Sequence, residues 1–368
     1  IRHLPVVEYN RVIGVVTATD LIRRQSHNTI YLINEIYRAK DTDELQSLSI
    51  QLPNTLLALV QNSLTAYDIG HAISSIGEAI TQRLLRLAEK QFGPPPVRYA
   101  WILAGSLARN EQTAFSDQDN ALFLSDDYDE NKHREYFEQL SRFVCDGLSQ
   151  CGYHYCPGDV MATNPKWRQP VSVWQQYFNQ WIDEPEPMAL MYSSIFFDLR
   201  CAYGDASLLE QIQAAILQKT RGNTIFLGHL LANALKFQPP IGFFRNFVLE
   251  KTGEEDKALD FKKRGVVPII DLARYFVLSV GHPALHTRDR LEAASAAGKL
   301  SQEGMEDLRD ALEFISTIRL QHQALQIIQG KPLDNFVPPE QISSLERRHL
   351  KDAFDVVRTF QTLMSQRY

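Results

Sequence analysis

Apolar residues recur at helical spacing before the first cluster of prolines. The clearest run comprises Ile69, Ile73, Ile76, Ile80, Leu84 and Leu87, whose separations of three or four residues place them on one helix face. Gly93 and the prolines after it end this run, because proline cannot continue a helix. The pattern predicts a helical connector over residues 28–93 and a domain boundary behind it.

Beyond the prolines the period changes to that of β-strands. Apolar runs at residues 98–104, 120–124 and 193–199 predict three strands. An amphipathic run at residues 136–148 predicts a helix between the second strand and the third. We therefore expect residues 94–205 to form a mixed α/β domain.

The last part of the chain loses the strand period. Long helical periods follow, separated by Pro239, Pro283 and Pro338. This pattern predicts an all-α helical bundle over residues 206–368. The expected fold class is therefore α+β, with a mixed sheet followed by a bundle.

The first residues form a short unit of their own. Apolar runs at residues 4–7 and 12–16 predict two strands, and a helix is expected to start near Thr19 and Asp20. Residues 1–27 are too few to bury a core alone. We expect them to depend on further sequence for order.

Composition and charge exclude some functions. The chain has 368 residues, 44% of them hydrophobic, and a net charge of −6, which gives no field that attracts duplex DNA. The longest apolar stretch, residues 265–281, contains Asp271 and Arg274, so no membrane span is expected. Because the chain opens at Ile1 without a signal segment, we expect a fragment of a longer cytoplasmic protein.

Three cysteines and a histidine lie close together in sequence. The spacing of Cys145, Cys151, His154 and Cys156 is not that of paired zinc ligands, so core packing is expected there. The sequence also contains no Walker A motif, which argues against a P-loop ATPase.

The candidate chemistry lies around residues 100–124. A predicted strand ends at Gly105 and Ser106, where a residue without Cβ lets the backbone approach a phosphate. Asp117 and Asp119 follow at a spacing that points both carboxylates to one face of a strand.

Two adjacent carboxylates indicate a hard cation such as Mg²⁺. Two such ions can stabilise an in-line phosphoryl displacement, and Mn²⁺ is an alternative. Asp198, at the end of the third predicted strand, is the candidate third metal ligand, and Arg200 shares its face.

The chain resembles the nucleotidyltransferase superfamily, and more closely the DUF294 family, whose members are relatives of protein-PII uridylyltransferase. The residues that carry the resemblance are Gly105, Ser106, Arg109, Glu111, Gln112, Asp117, Gln118, Asp119 and Asn120. The first residues resemble the end of a CBS domain, in which Thr17 and Asp20 would contact an adenine nucleotide.

The resemblance implies a nucleotidyltransferase fold and an activity. Asp117, Asp119 and Asp198 would be the catalytic and metal-binding residues. The expected nucleotide-binding residues are Gly105, Ser106, Arg109, Glu111 and Arg200. The reaction would move a nucleoside monophosphate from ATP or UTP to a hydroxyl on a protein or a small molecule, under regulation by upstream nucleotide-sensing domains.

Several alternatives remain open at this point. The same fold could serve as a catalytically weak nucleotide-binding signalling module, and a homodimer is an alternative to a monomer. Arg109 and Glu111 could contact phosphate or brace the loop as a structural pair. The basic run that begins at Lys262 could be a solvated face or a triphosphate contact.

Overall fold

The computed structural model describes residues 3–8, 11–17, 29–114, 116–242, 244–251 and 257–366. In this part of the chain the β-strands are β1 (His3–Glu8), β2 (Arg11–Thr17), β3 (Tyr99–Ala104), β4 (Asp117–Gln118), β5 (Asn120–Leu124), β6 (His154–Tyr155), β7 (Arg168–Pro170), β8 (Leu199–Gly204), β9 (Glu250–Lys251), β10 (Lys257–Asp260) and β11 (Phe336–Val337). The α-helices are α1 (Thr29–Arg38), α2 (Thr42–Ser49), α3 (Leu52–Gln61), α4 (Ala66–Phe92), α5 (Gly105–Ala108), α6 (Glu130–Gln150), α7 (Val171–Asp183), α8 (Pro187–Phe196), α9 (Ser207–Thr220), α10 (Thr224–Ala234), α11 (Val267–Val280), α12 (Thr287–Ala296), α13 (Gln302–Ile328) and α14 (Ser344–Ser365). The fold is α+β, as the sequence predicts.

The N-terminal strands form an antiparallel hairpin in which Leu4 pairs with Val16. This confirms the two strands predicted there. Leu4 and Val12 are exposed, so the hairpin adds little to the core. The helix expected near Thr19 and Asp20 lies outside the described residues.

Helix α4 confirms the strongest helical period in the sequence. Thr65 caps its first turn by accepting a hydrogen bond from the backbone N–H of Asp68. Ile73 and Leu84 pack in one buried cluster with Trp101 of β3. The helix therefore covers one face of the sheet.

The main sheet has the strand order β7-β5-β3-β8, with β3 antiparallel to β5 and β8, and β5 parallel to β7. Alternate residues of β3 face opposite layers, as strand geometry requires. Trp101 and Leu103 pack with α4, whereas Ala100 and Ile102 pack with Trp174 of α7. Since both faces are buried, chemistry can only be placed at an edge of this sheet.

The strand predicted at residues 193–199 is wrong. Residues up to Phe196 form the end of α8, which Pro187 begins, and β8 starts at Leu199. A short apolar run fits a buried helix as well as a buried strand, so the period could not separate the two. Asp198 therefore precedes a strand instead of ending one.

The C-terminal region is mainly helical, which confirms the prediction for its long periods. Helix α11 lies at its centre and buries Asp271 and Arg274 together with its apolar residues. A π-helical turn, Phe261–Val266, leads into α11. The sequence did not reveal the small sheet β11-β10-β9, because strands of two to four residues show no period. Among the described helices, none combines the length and the apolar composition that crossing a membrane requires.

Candidate active site

A cleft of about 230 Å³ lies where three parts of the chain meet. Its walls come from the first turn of α4, from the loops after β3 and around β4, and from the helical region between α11 and α13. Tyr67 lines it from α4, and Ser106, Asp117 and Asp119 line it from the α/β region. Arg319 lines it from α13. Three residues predicted from the sequence, Ser106, Asp117 and Asp119, therefore share the cleft with Tyr67 and Arg319, which no motif indicated.

The turn between β3 and α5 brings the backbone close to the carboxylates. Gly105 has φ of 58°, a left-handed conformation that favours glycine. A Cβ at this position would lie 3.0 Å from Oδ2 of Asp119. The backbone N–H of Ala104 donates to the carbonyl of Asp119 (3.0 Å), and that of Gly105 donates to the carbonyl of Asp198 (3.2 Å). The turn therefore joins both acidic segments through the main chain.

Asp117 and Asp119 lie on the cleft wall and are both partly buried. Burial raises the pKa of Asp119, and the charge of Asp117 adds to this rise. A hydrogen bond from the Cys156 thiol and the charge of Lys262 offset part of it. Burial also raises the pKa of Cys156 to about 11, so the thiol keeps its proton at neutral pH.

The two carboxylates fit a hard divalent cation. Burial of Asp119 and the neighbouring charge of Asp117 make the carboxylate form of Asp119 costly, which a cation between or beside the two side chains would relieve. Within the described residues, no group of three or more His, Cys, Asp or Glu side chains is arranged to hold a metal. An ion held by Asp117 and Asp119 would therefore take its other oxygens from water and substrate.

Asp198 occupies a different environment from the other two acids. It is fully buried, with 0% exposure, and does not line the cleft. Its Oδ2 accepts from Arg109 and Arg274, both at 2.6 Å. Its Oδ1 accepts from Arg290 at 2.5 Å and from Arg274 at 3.1 Å. Burial alone would raise the pKa of Asp198, but the three arginines outweigh it and hold this pKa well below its usual range.

This cluster joins the α/β region to the helical region. Arg109 belongs to the loop after α5, whereas Arg274 lies on α11 and Arg290 on α12. Asp198 is therefore the common partner of side chains from both halves of the chain. Its position fixes how the cleft walls meet.

Arg109 and Glu111 form a structural pair. The Nε of Arg109 donates to Glu111 at 2.7 Å, and the other carboxylate oxygen of Glu111 accepts from the backbone N–H of Thr287 at 2.7 Å. Burial would raise the pKa of Glu111, but Arg109 and the neighbouring donors lower it overall. Both residues line the cleft, so the Arg109–Glu111 pair that braces the loop is itself part of the cleft wall.

Arg200 lies outside the cleft, although it follows Asp198 closely. It forms an ion pair with Glu78 of α4. Its guanidinium also donates to the carbonyls of Ala108 (3.2 Å) and Leu107 (3.0 Å). Arg200 therefore supports the Gly-Ser turn from behind.

Sequence reasoning missed several residues of the cleft. Tyr67, His286, Glu313 and Arg319 carry no local motif, and only the fold brings them to the Gly-Ser turn. Lys262, from the basic run considered above, does line the cleft. Because Lys262 lies in a run of three consecutive basic residues, the sequence could not show which of them faces the cleft.

Comparison with protein families agrees with this architecture. Residues 50–188 match the family described as "Putative nucleotidyltransferase DUF294", and residues 224–368 match the "Putative nucleotidyltransferase substrate binding domain". Residues 1–27 match the CBS domain. No curated protein matches the chain.

The α+β fold and the two matched descriptions indicate a protein of the nucleotidyltransferase type. The α/β region is similar to the DUF294 family, and the helical region behind it is similar to the companion substrate-binding domain. This confirms the resemblance inferred from the sequence motifs.

Proposed function

We propose that the cleft is the active site of a metal-dependent nucleotidyltransferase. The reaction would transfer a nucleoside monophosphate from ATP or UTP to a hydroxyl acceptor on a protein or a small molecule. The observation that carries this proposal is that Ser106, Asp117 and Asp119 line one cleft, which the helical region closes. The descriptions of both matched families support it.

Asp117 and Asp119 would hold Mg²⁺. When bound, the metal neutralises charge on the phosphates and on the leaving oxygen. The glycine at position 105 leaves room for the backbone to approach a phosphate, and Ser106 offers a hydroxyl on the cleft wall. These residues would hold the nucleotide tail beside the carboxylates.

The transfer itself is a displacement at phosphorus. The acceptor hydroxyl releases its proton, which the departing pyrophosphate can take up, and its oxygen forms a bond to the α-phosphorus while the bond to the bridging oxygen breaks and pyrophosphate leaves. The walls from α11 to α13 would keep bulk water away from the α-phosphorus, which protects the nucleotide from hydrolysis.

We assign Asp198 to positioning. Its carboxylate accepts four hydrogen bonds from arginines, and the pKa of this group is held low, so it is a poor proton acceptor. Arg109 and Arg274 link it to the Gly-Ser loop and to α11. It would keep Asp117 and Asp119 in register with the helical wall.

The test uses the purified chain with each labelled nucleoside triphosphate, Mg²⁺ and a cell extract as the source of acceptors. Label that becomes covalently attached, and that is lost in Asp119→Asn, supports the proposal. The matched control is Glu130→Gln, which changes an exposed acid on α6.

The rival function is a nucleotide-binding signalling module. The absence, among the described residues, of three converging metal ligands favours it, as does the CBS match. In that case the parent chain would bind nucleotide with Mg²⁺ and transfer nothing under any acceptor condition.

A further inference from the structure

The basic side chains of the cleft differ in whether a carboxylate neutralises them. Three form ion pairs within the chain: Arg109 with Glu111 at 2.7 Å, Arg288 with Glu292 at 3.1 Å, and Arg309 with Asp310 at 3.1 Å. Within the described residues, Arg319 has no carboxylate at ion-pairing distance. It lines the same cleft as Ser106, Asp117 and Asp119.

The fold fixes the Arg319 side chain from one end. Its Nε donates to Oδ1 of Asn335 at 2.6 Å, and Gln323 donates to the same oxygen at 3.3 Å. The carbonyl of Asn335 accepts from the backbone N–H of Phe261 (3.0 Å), the residue before Lys262. This anchor uses Nε, and among the described residues neither terminal nitrogen of the guanidinium has a hydrogen-bond partner, so both can meet a ligand on the cleft wall.

The charge of Arg319 is poorly compensated inside the chain. Burial lowers the pKa of Arg319 to about 10, while Asp260 and Glu111 act from a distance to raise it. The group therefore stays a cation at neutral pH, but in a setting that disfavours its charge. An anionic ligand would offset the desolvation of this guanidinium.

We propose that Arg319 binds a phosphate group in the cleft, so that the helical region and the α/β region hold one ligand between them. A guanidinium with a fixed planar fork matches a phosphate through two parallel hydrogen bonds. The inference rests on the proposed function, which gives two sources of phosphate: the tail of the nucleoside triphosphate, or a phosphate carried by the acceptor.

The experiment measures binding by calorimetry with Mg²⁺ present. The ligands are tripolyphosphate, the α,β-methylene analogues of ATP and UTP, and inorganic phosphate added to chain already saturated with an analogue. The variant is Arg319→Gln, and the matched control is Arg348→Gln, which makes the same change on the exposed face of α14.

A loss of about 30-fold in affinity for tripolyphosphate and for an analogue in Arg319→Gln, with the control unchanged, supports the proposal and identifies the nucleotide tail as the ligand. This follows from hydrogen bonds to a charged group worth about 2 kcal/mol in sum. If Arg319→Gln binds the analogues as the parent does but no longer binds inorganic phosphate, the proposal is also supported. The phosphate that Arg319 binds is then the one carried by the acceptor. If no phosphate ligand loses affinity in Arg319→Gln, the proposal is overturned.

The binding assay also separates this inference from the proposed function. If the chain binds tripolyphosphate through Arg319 but transfers no nucleotide, the proposed transferase activity is refuted. The phosphate-binding site at Arg319 is then still supported. If Arg319→Gln does not fold, Arg319→Lys retains the charge without the planar fork. Tripolyphosphate, or inorganic phosphate added to chain saturated with an analogue, should then raise the melting temperature of the parent more than that of Arg319→Lys. Equal shifts with both ligands would overturn the proposal.

Discussion

Replacing Asp198 by Asn separates a positioning role from a metal-binding role. The amide keeps the shape of the carboxylate but removes the negative charge that three buried arginines share. One end of the amide also presents N–H groups to guanidinium donors. We therefore expect the fold to lose stability, beyond any loss of transfer activity.

The size of the stability loss depends on which partners each arginine keeps when the charge of Asp198 is removed. Arg109 keeps Glu111, and Arg274 keeps Asp271. Within the described residues, Arg290 keeps only a backbone carbonyl, and its Nη1 is already without a partner. One uncompensated buried charge costs about 3–5 kcal/mol. At roughly 2 °C per kcal/mol for a large chain, the melting temperature should fall by about 6–10 °C.

The assay is thermal and urea unfolding of the parent, Asp198→Asn and Asp119→Asn at pH 7. Asp119→Asn should be as stable as the parent or more stable, because burial and the charge of Asp117 disfavour its carboxylate. The double variant Asp198→Asn with Arg290→Met should recover much of the lost stability, since it removes the charge left without a partner. Unfolding of Asp198→Asn at the parent's midpoint would refute the reasoning.

The contribution of Asp198 to the stability of the fold depends on pH, and the sign of this dependence follows from its pKa. The pKa of Asp198 is lower in the folded chain than its ordinary value of 3.8, so its stabilising effect is fully present above that value. It is lost as pH falls through the folded-state pKa. The difference in unfolding free energy between parent and Asp198→Asn should therefore be constant from pH 8 to about pH 5 and narrow only below about pH 4. If the difference in unfolding free energy between parent and Asp198→Asn disappears between pH 7 and pH 6, the lowered pKa assigned to Asp198 is contradicted.

The remaining predictions concern the Gly-Ser turn and the carboxylate pair. Asp117→Asn and Asp119→Asn should each lower nucleotide transfer about 10²-fold, roughly 2.7 kcal/mol of transition-state stabilisation, with Glu130→Gln as the unaffected control. Because its folded-state pKa is raised above the ordinary 3.8, Asp119 should make the parent more stable as pH falls from 7 towards 4, and urea unfolding of Asp119→Asn should lack this gain. Gly105→Ala should lower stability by about 1–2 kcal/mol, because alanine is strained at φ of 58° and its Cβ would meet Asp119; an unchanged melting temperature would contradict this. Arg200→Gln should lower the melting temperature while leaving nucleotide affinity within a few-fold, as calorimetry can check, because it supports the turn from outside the cleft.

The part of the site that could be predicted from the sequence consists of residues that lie close together in the chain. Gly105, Ser106, Asp117 and Asp119 lie close in sequence, and strand and turn geometry brings such residues together wherever the chain folds. The structure places the last three of them on one cleft. The long helix α4 was equally predictable, because its apolar period persists over many turns.

Residues that depend on distant packing could not be predicted. Asp198 was expected beside the other acids because it follows an apolar run, but its surroundings are set by Arg274 and Arg290, which are 76 and 92 positions away. The same holds for Arg319, since nothing in its helix distinguishes it from a surface arginine. Only the packing of α13 against the first turn of α4, where Glu313 accepts from the backbone N–H groups of Ala66 and Tyr67, brings it to the cleft.

The buried ion cluster explains why a two-part chain can keep one cleft. An interface of apolar side chains alone tolerates sliding, because dispersion contacts have little direction. A carboxylate that accepts from three guanidinium groups fixes distances and angles at once, and any displacement leaves a buried charge without its partner. Asp198 therefore holds the wall that carries Arg319 in register with the wall that carries Asp119.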